Sequence, residues 1–202
     1  MSHRIKKLEN LNKLTEKGLC TYHMDKDACG VGVVANIKGK KSNSIVKNAL
    51  DVLVNLEHRG ACGCDPETGD GAGITIQIPD KFIRKEFKNL DLKLPEQGKY
   101  ATGIVFLPSE DDLKEKILAI MTRLINSPQT KLLKIREVPT NPNAIGEWSR
   151  DAMPTIKQVF IENNSDMNDE DFSRTLFILR KKIEREVEKL KTQKNKIILE
   201  NE

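Results

Sequence analysis

Cys29 is the residue of this 202-residue chain whose neighbours most favour chemistry. It follows a polar stretch that ends at Ala28, and Gly30 and Gly32 come next, so few side-chain atoms crowd its thiol. Cleavage before Cys29 would give it a free α-amine, and one residue would then carry both nucleophile and base. The alternative is a small apolar residue at the edge of a strand, because free cysteine is among the most buried residue types.

Arg59 is the second candidate, in the segment Glu57–Gly60 that reads EHRG. It stands where a predicted helix gives way to a glycine-rich stretch, and a planar guanidinium there can hold a carboxylate through two hydrogen bonds. The alternative is a surface arginine that the helix dipole stabilises. The neighbouring His58 adds little, because a lone histidine is usually a hydrogen-bonded side chain without a catalytic role.

The glycine-rich segment 60–73 excludes two common kinds of site. It precedes a predicted strand and opens no helix, which is the reverse of the order in a dinucleotide-binding turn. Cys62 and Cys64 form a C-x-C pair without a second ligand pair at a usual interval, which argues against zinc. The segment is therefore predicted to be a loop that can form one wall of a pocket.

Apolar periodicity predicts the elements that position these residues. A helix over residues 5–14 is followed by a helix capped by Ser42 or Ser44 that ends near Gly60, and Pro79 opens a short helix. Ser109 with Asp112 resembles a capping box for a helix to about Asn126, and the last helix carries an apolar stripe from Phe172 to Leu190. The predicted strands are 30–37, 74–78, 100–107, 132–138 and 156–161, with another beginning at 196–199.

Composition excludes several classes of protein. The net charge of +4 comes from scattered lysines without interleaved aromatic residues, so nucleic-acid binding has little support. No apolar run approaches the roughly 20 residues that cross a bilayer, and the basic stretch 1–28 lacks the apolar segment of a secretory signal. Four cysteines without a disulfide-framework spacing favour the reduced cytoplasm.

Three segments together resemble the amino-terminal amidotransferase region of glutamate synthase large subunits. These segments are 27–32 (DACGVG), 55–61 (NLEHRGA) and 69–74 (GDGAGI), and FLP at 106–108, VPT at 138–140 and QVFI at 158–161 follow in the same order. The resemblance extends from about Leu19 to Leu190. Amidotransferases for purine or glucosamine synthesis share the cysteine and His-Arg-Gly but lack the loops GACGC and GDGAG, so they resemble the chain less.

The resemblance implies a class II glutamine amidotransferase of the N-terminal-nucleophile hydrolase type. The expected fold class is α+β, a four-layer αββα sandwich that is incomplete at its C-terminus. Residues 1–28 would be a leader and residues 29–202 the N-terminal part of the domain. Cys29 would attack the side-chain amide of glutamine, and Arg59 would hold the substrate or order the cysteine.

The chain also departs from the family. The Asn-Gly pair that supplies oxyanion donors in relatives is absent from these 202 residues, and a later aspartate has no counterpart. The resemblance places FMN, an iron–sulfur cluster and the site for 2-oxoglutarate in downstream domains. The implied partners are the remainder of the large subunit and a small subunit or ferredoxin, with neither nucleic acid nor membrane. The alternative function is an inactive piece that acts only as an interaction module.

Overall fold

The computed structural model describes residues 30–60, 67–69, 71–88 and 93–200, with side chains up to Leu190. The described chain divides into two compact units. Unit 1 comprises the chain up to Ile76 together with Asn143–Ser149, and unit 2 comprises Gln77–Pro142 with the chain from Arg150 onward. The predicted leader helix at 5–14 and Cys29 itself lie outside the described residues.

The described elements alternate between helices and strands along the chain. In order they are α1 (Asn43–Asn55), a 3-10 turn (Glu57–Arg59), α2 (Asp80–Lys88), β1 (Tyr100–Leu107), α3 (Asp111–Ile125), β2 (Thr130–Glu137), a second 3-10 turn (Pro142–Ala144), α4 (Glu147–Asp151), β3 (Thr155–Asn163) and α5 (Asp169–Glu200). This mixture of helices and an antiparallel sheet confirms the α+β expectation.

Unit 2 is built on a three-stranded antiparallel sheet in the order β1-β3-β2. The central strand β3 pairs along its whole length, with Tyr100 of β1 opposite Glu162 and Thr130 of β2 opposite Asn163. A bulge between Leu132 and Lys134 shifts the register of β2 by one residue. Because strand residues alternate between faces, β3 presents Val159 and Ile161 on one side and Phe160 on the other.

Helices cover both faces of this sheet. On one face α3 and α5 enclose an apolar cluster of Leu107, Ile117, Met121, Ile125, Val159, Ile161 and Leu179. On the other face α2 contributes Ile83 and Phe87 to a second cluster with Leu94, Tyr100 and Phe160. The rings of Phe87 and Phe160 meet edge to face with their centroids 4.6 Å apart. The predicted stripe on the last helix and the short helix after Pro79 are thereby confirmed.

A partly buried polar network fixes α2 to the start of β1. The Tyr100 hydroxyl donates to Asp80 Oδ1 at 3.0 Å, and Arg84 Nε donates to Asp80 Oδ2 at 2.9 Å. Arg84 Nη1 also donates to the Leu94 carbonyl at 3.2 Å. Asp80 therefore links the helix, the strand and the segment between them.

Unit 1 contains α1 and the 3-10 turn that follows it, and its other described segments include one β-bridge residue, Gly69, but no strand of several residues. Residues 30–37 and 74–78 are not strands, so both of those predictions are wrong. A strand requires a hydrogen-bonded neighbour, and none of the described residues pairs with either segment. Most of their apolar side chains are exposed, including Val31 at 86% and Val33 at 87%, whereas Ile78 is half-buried against the second cluster of unit 2.

The start of α3 and the end of α5 differ from their predictions. The helix predicted to be capped by Ser109 begins at Asp111 and has Glu110 at its N-cap, without a side-chain capping hydrogen bond. Residues 196–199 continue α5 rather than beginning a strand, since the helix runs to Glu200. None of the helices among the described residues is long and apolar enough to cross a membrane.

Candidate functional site

The end of α1 holds Arg59 in a tight backbone turn. The amide of Leu56 donates to the carbonyls of Val52 and Leu53, at 3.0 and 3.1 Å. The amide of Arg59 then donates to Leu56 at 2.8 Å, and that of Gly60 to Glu57 at 3.0 Å. Two successive short-range bonds of this kind close a 3-10 turn, so the backbone of Arg59 is fixed relative to α1.

Arg59 is exposed to solvent. Among the described residues no carboxylate forms an ion pair with its guanidinium. Its guanidinium has five N–H donors, and two of them can bind a ligand carboxylate side by side. The expectation that Arg59 stands at a helix end is confirmed, while its role in substrate binding stays a prediction.

His58 has a structural explanation. Its Nδ1 donates to the carbonyl of Asn55 at 2.9 Å, which satisfies one of the acceptors left at the end of α1. This contact agrees with the expectation that His58 carries no chemistry.

Gly30, the residue that follows Cys29 in the chain, lies against the same helix end. A Cβ atom placed on Gly30 would stand 3.1 Å from Leu56 Cδ2 and 3.4 Å from Arg59 Cβ. The backbone of Gly30 therefore lies close to Leu56 and Arg59. The glycines at 30 and 32 were expected to leave the Cys29 thiol uncrowded, and in the structure both also lie against α1 and the turn that follows it.

The described parts of the glycine-rich segment are loop, as predicted. Residues 67–69 and 71–73 form neither helix nor continuous strand, and Gly71 has a φ of +101°, which favours glycine. The amide of Gly146 donates to Thr68 Oγ1 at 3.0 Å, so this loop is tied to the second segment of unit 1. Cys62 and Cys64 lie outside the described residues.

A separate groove of about 360 Å³ opens in unit 2 at the ends of β2 and β3. Its lining includes Glu137, Thr140, Arg150 and Met153, and neither cysteine nor histidine contributes to it. The groove thus offers neither a thiol nor an imidazole. Within the described ranges, no three side chains of His, Cys, Asp or Glu come together as metal ligands.

Sequence reasoning missed Val52 and Leu56 as the residues against which the glycine segment lies. Both belong to the apolar repeat of α1, and nothing in a single sequence distinguishes an apolar residue that meets a glycine backbone from one that meets other side chains.

Comparison with known proteins assigns the family. Residues 29–199 match the family of class-II glutamine amidotransferases. The chain is 43% identical over 169 residues to the NADPH glutamate synthase large chain of Bacillus subtilis, covering 83% of this chain and 11% of that protein. It is 38% identical over 179 residues to the large chain of Azospirillum brasilense, covering 88% and 12%.

A plant relative agrees with these two. The chloroplastic ferredoxin-dependent glutamate synthase of Oryza sativa is 35% identical over 161 residues, which cover 80% of this chain and 10% of that protein. The chain thus spans about a tenth of the length of the curated relatives it matches. It belongs to the class-II glutamine amidotransferases.

Proposed function

We propose that this chain hydrolyses the side-chain amide of glutamine with Cys29 as the nucleophile, after removal of residues 1–28. The ammonia released would supply glutamate synthesis from 2-oxoglutarate in a complete glutamate synthase. The match to the family begins at residue 29, which supports a domain that starts at this cysteine. The similarity to glutamate synthases supports the use of the ammonia.

The proposed reaction needs only the groups of one residue at its centre. The free amine of Cys29 accepts the thiol proton, and Sγ attacks the amide carbon of glutamine to form a tetrahedral intermediate. Collapse of this intermediate expels ammonia, which carries away the transferred proton, and leaves a γ-glutamyl thioester. Water then releases glutamate and restores the thiol.

The leader acts as an off switch in this proposal. A free α-amine and a thiol have reference pKa values of about 8 and about 8.5, so the amine can take the thiol proton near neutral pH. While Ala28 is attached, the nitrogen of Cys29 belongs to an amide and accepts no proton. The uncleaved chain is therefore expected to have no glutaminase activity.

We propose that Arg59 binds the substrate. The observation that supports this role is the close approach of Gly30 to Arg59. A Cβ on Gly30 would lie 3.4 Å from Arg59 Cβ, and Cys29 is the next residue in the chain. Consecutive Cα atoms are about 3.8 Å apart, and an arginine side chain is longer than that, so its guanidinium can reach a substrate on the thiol. We expect it to hold the α-carboxylate of glutamine through two hydrogen bonds.

The finer features of the family are also proposals. We expect the four-layer αββα arrangement, the cytoplasm as the location, and the other parts of a glutamate synthase as partners, with ferredoxin or a small subunit as electron donor. FMN and an iron–sulfur cluster are proposed to belong to the other domains of a glutamate synthase, and no step of the proposed reaction uses them.

The test compares Cys29→Ala with Cys20→Ala in the complete natural polypeptide. Cys20 is the matched control because it lies in the segment that is expected to be removed. We expect Cys29→Ala to lose glutamine hydrolysis by about 10³-fold or more and to resist a thiol-reactive glutamine analogue, whereas Cys20→Ala keeps both properties. Intact mass should place the N-terminus of the active protein at Cys29. Normal hydrolysis by Cys29→Ala, or by protein that retains Met1, would contradict the proposal.

Arg59→Lys tests substrate binding separately. Lysine keeps the charge but offers no planar pair of donors, so we expect KM for glutamine to rise about 10- to 100-fold while kcat changes less. Unchanged KM would remove Arg59 from the substrate site without removing Cys29.

A further inference from the structure

Of the two glycines after Cys29, Gly32 leaves less room for a side chain between the segment and helix α1. A Cβ atom placed on Gly32 would lie 2.3 Å from Val52 Cγ1, 3.6 Å from Val52 Cβ and 3.8 Å from Val52 Cγ2. Carbon atoms that are not bonded to each other prefer separations of about 3.5–4.0 Å. Any residue other than glycine at position 32 would therefore push the segment away from the helix.

The segment from Gly30 to Val33 presents its two glycines to the helix and its two valines to solvent. Gly32 lies against Val52 and Gly30 lies against Leu56 and Arg59, whereas Val31 and Val33 are exposed. Such alternation is expected of an extended backbone, in which successive side chains point in opposite directions.

The spacing of the glycines matches the spacing of their partners on the helix. Two residues of extended chain advance about 6.6 Å, and the four residues from Val52 to Leu56 advance about 6 Å along a helix. Residues four apart lie one above the other on the same helix face. Both glycines can consequently dock at once, and the docked segment leads directly to Arg59.

We infer that Gly32 is a positioning residue, whose contact with Val52 sets the distance between Cys29 and Arg59. This inference rests on the proposed function of those two residues. A methyl group at position 32 must move from 2.3 Å to an ordinary separation from Val52 Cγ1. Because valine in a helix has one strongly preferred χ1, we expect the segment rather than Val52 to move, by about 1 Å. The shift is transmitted through Gly30 to the nucleophile and moves it relative to the bound substrate.

The principal test is a pair of substitutions that create and then relieve the collision. In the complete natural polypeptide, Gly32→Ala should lower kcat/KM for glutamine about 100-fold, the usual effect of a misplacement of about 1 Å. Combining Gly32→Ala with Val52→Ala removes Cγ1 and leaves the two Cβ atoms 3.6 Å apart, which is an ordinary contact. The double variant should therefore recover to within about threefold of Val52→Ala alone.

Gly103→Ala, in strand β1 of unit 2, is the matched control. A Cβ on Gly103 would meet only Val159 Cγ1, at an ordinary 3.8 Å, among the described atoms, and its φ lies outside the left-handed region. It should hydrolyse glutamine at the unsubstituted rate. Rates are referred to the amount of protein whose mass shows an N-terminal Cys29, so that an effect on leader removal is not counted as an effect on catalysis.

A second measurement separates positioning from loss of folding. Displacement of Cys29 from Arg59 should slow labelling by the glutamine analogue and leave labelling by iodoacetamide unchanged, whereas unfolding of unit 1 would change both rates. Gly32→Ala should also have a much smaller effect when Arg59→Lys is already present, because the two substitutions weaken the same arrangement.

The outcomes distinguish this inference from the proposed function. If Cys29→Ala abolishes hydrolysis but Gly32→Ala behaves like Gly103→Ala, or is not rescued by Val52→Ala, Gly32 has no positioning role. If Cys29→Ala retains hydrolysis, the proposed function itself is wrong, whatever the result at Gly32.

Discussion

Unit 2 and unit 1 contain similar kinds of residue but bury them very differently. Every buried apolar side chain of the described core belongs to unit 2, where β3 and the helices on both sheet faces enclose it. In unit 1, α1 has no buried residue, and the valines at 31 and 33 are almost fully exposed. The chemistry proposed for this chain nevertheless lies in unit 1.

The difference arises from strand pairing. Both β1 and β2 pair with the same central strand, β3, and the buried apolar residues of β3 pack in the clusters on its two faces. The segments 30–37 and 74–78 have comparable composition but no ladder partner among the described residues. Segments with few buried contacts open at low free-energy cost, so unit 1 is expected to be the less protected part of the chain.

The largest expected effect tests this contrast directly. Phe160 is 0% exposed and its ring contacts Phe87, so Phe160→Ala should lower the free energy of unfolding by about 3–5 kcal/mol. Val33→Ala, at an exposed position of unit 1, should change it by less than about 0.5 kcal/mol. Urea denaturation followed by far-ultraviolet circular dichroism measures both. Comparable losses for the two variants would show that the exposed valine is buried in solution.

The elements of unit 2 could be predicted because their signals are local. Strand β1 has the bounds that its composition predicts, Tyr100–Leu107, and the apolar stripe of α5 occupies the face that packs on the sheet. Each of these patterns needs only the residues of its own segment and a single neighbouring surface.

Pairing partners and backbone contacts could not be predicted in the same way. The alternation in Ile74–Ile78 indicates an extended segment but does not say which strand would bond to it. Likewise, Cys29 and Arg59 were identified from residue types and family motifs, whereas the close approach of Gly32 to Val52 depends on how α1 is docked. No single-sequence pattern reports the distance between a glycine and a helix that begins eleven residues later.

A second prediction concerns the polar network of unit 2. Burial, with the hydrogen bond to Asp80 as a further cause, raises the pKa of Tyr100 to about 12 from its usual 10. The folded state therefore retains the phenol proton more tightly than the unfolded chain does. The contribution of Tyr100 to stability is complete below pH 10 and is lost as the pH rises through 12, with a total of at most about 3 kcal/mol.

Tyr100→Phe isolates this effect, because phenylalanine does not titrate. The stability difference between the unsubstituted protein and Tyr100→Phe should be constant below pH 10 and should shrink between pH 10 and 12. The chain has two tyrosines, so the difference in absorbance at 295 nm between the two proteins reports the ionisation of Tyr100 alone. A midpoint near 10 would show that the phenol is hydrated, and the proposed burial of this face of unit 2 would then be wrong.

The smallest expected effect compares the same backbone strain in the two units. Gly98, in the turn before β1, has a φ of +92°, and Gly39, in the turn after the 30–37 segment, has a φ of +66°. An alanine in either left-handed conformation costs about 1 kcal/mol, and neither substitution meets another atom within 4 Å among those described. The local cost is thus similar, but its consequence depends on what unfolds with each turn.

Gly98→Ala should lower the protection of β1 amides against hydrogen exchange, because that turn joins the strand to its network. Gly39→Ala should leave the same amides unchanged, because unit 1 can absorb the strain by opening locally. Equal loss of protection in β1 for both variants would mean that the two units unfold together, and the contrast between them would then describe burial but not stability.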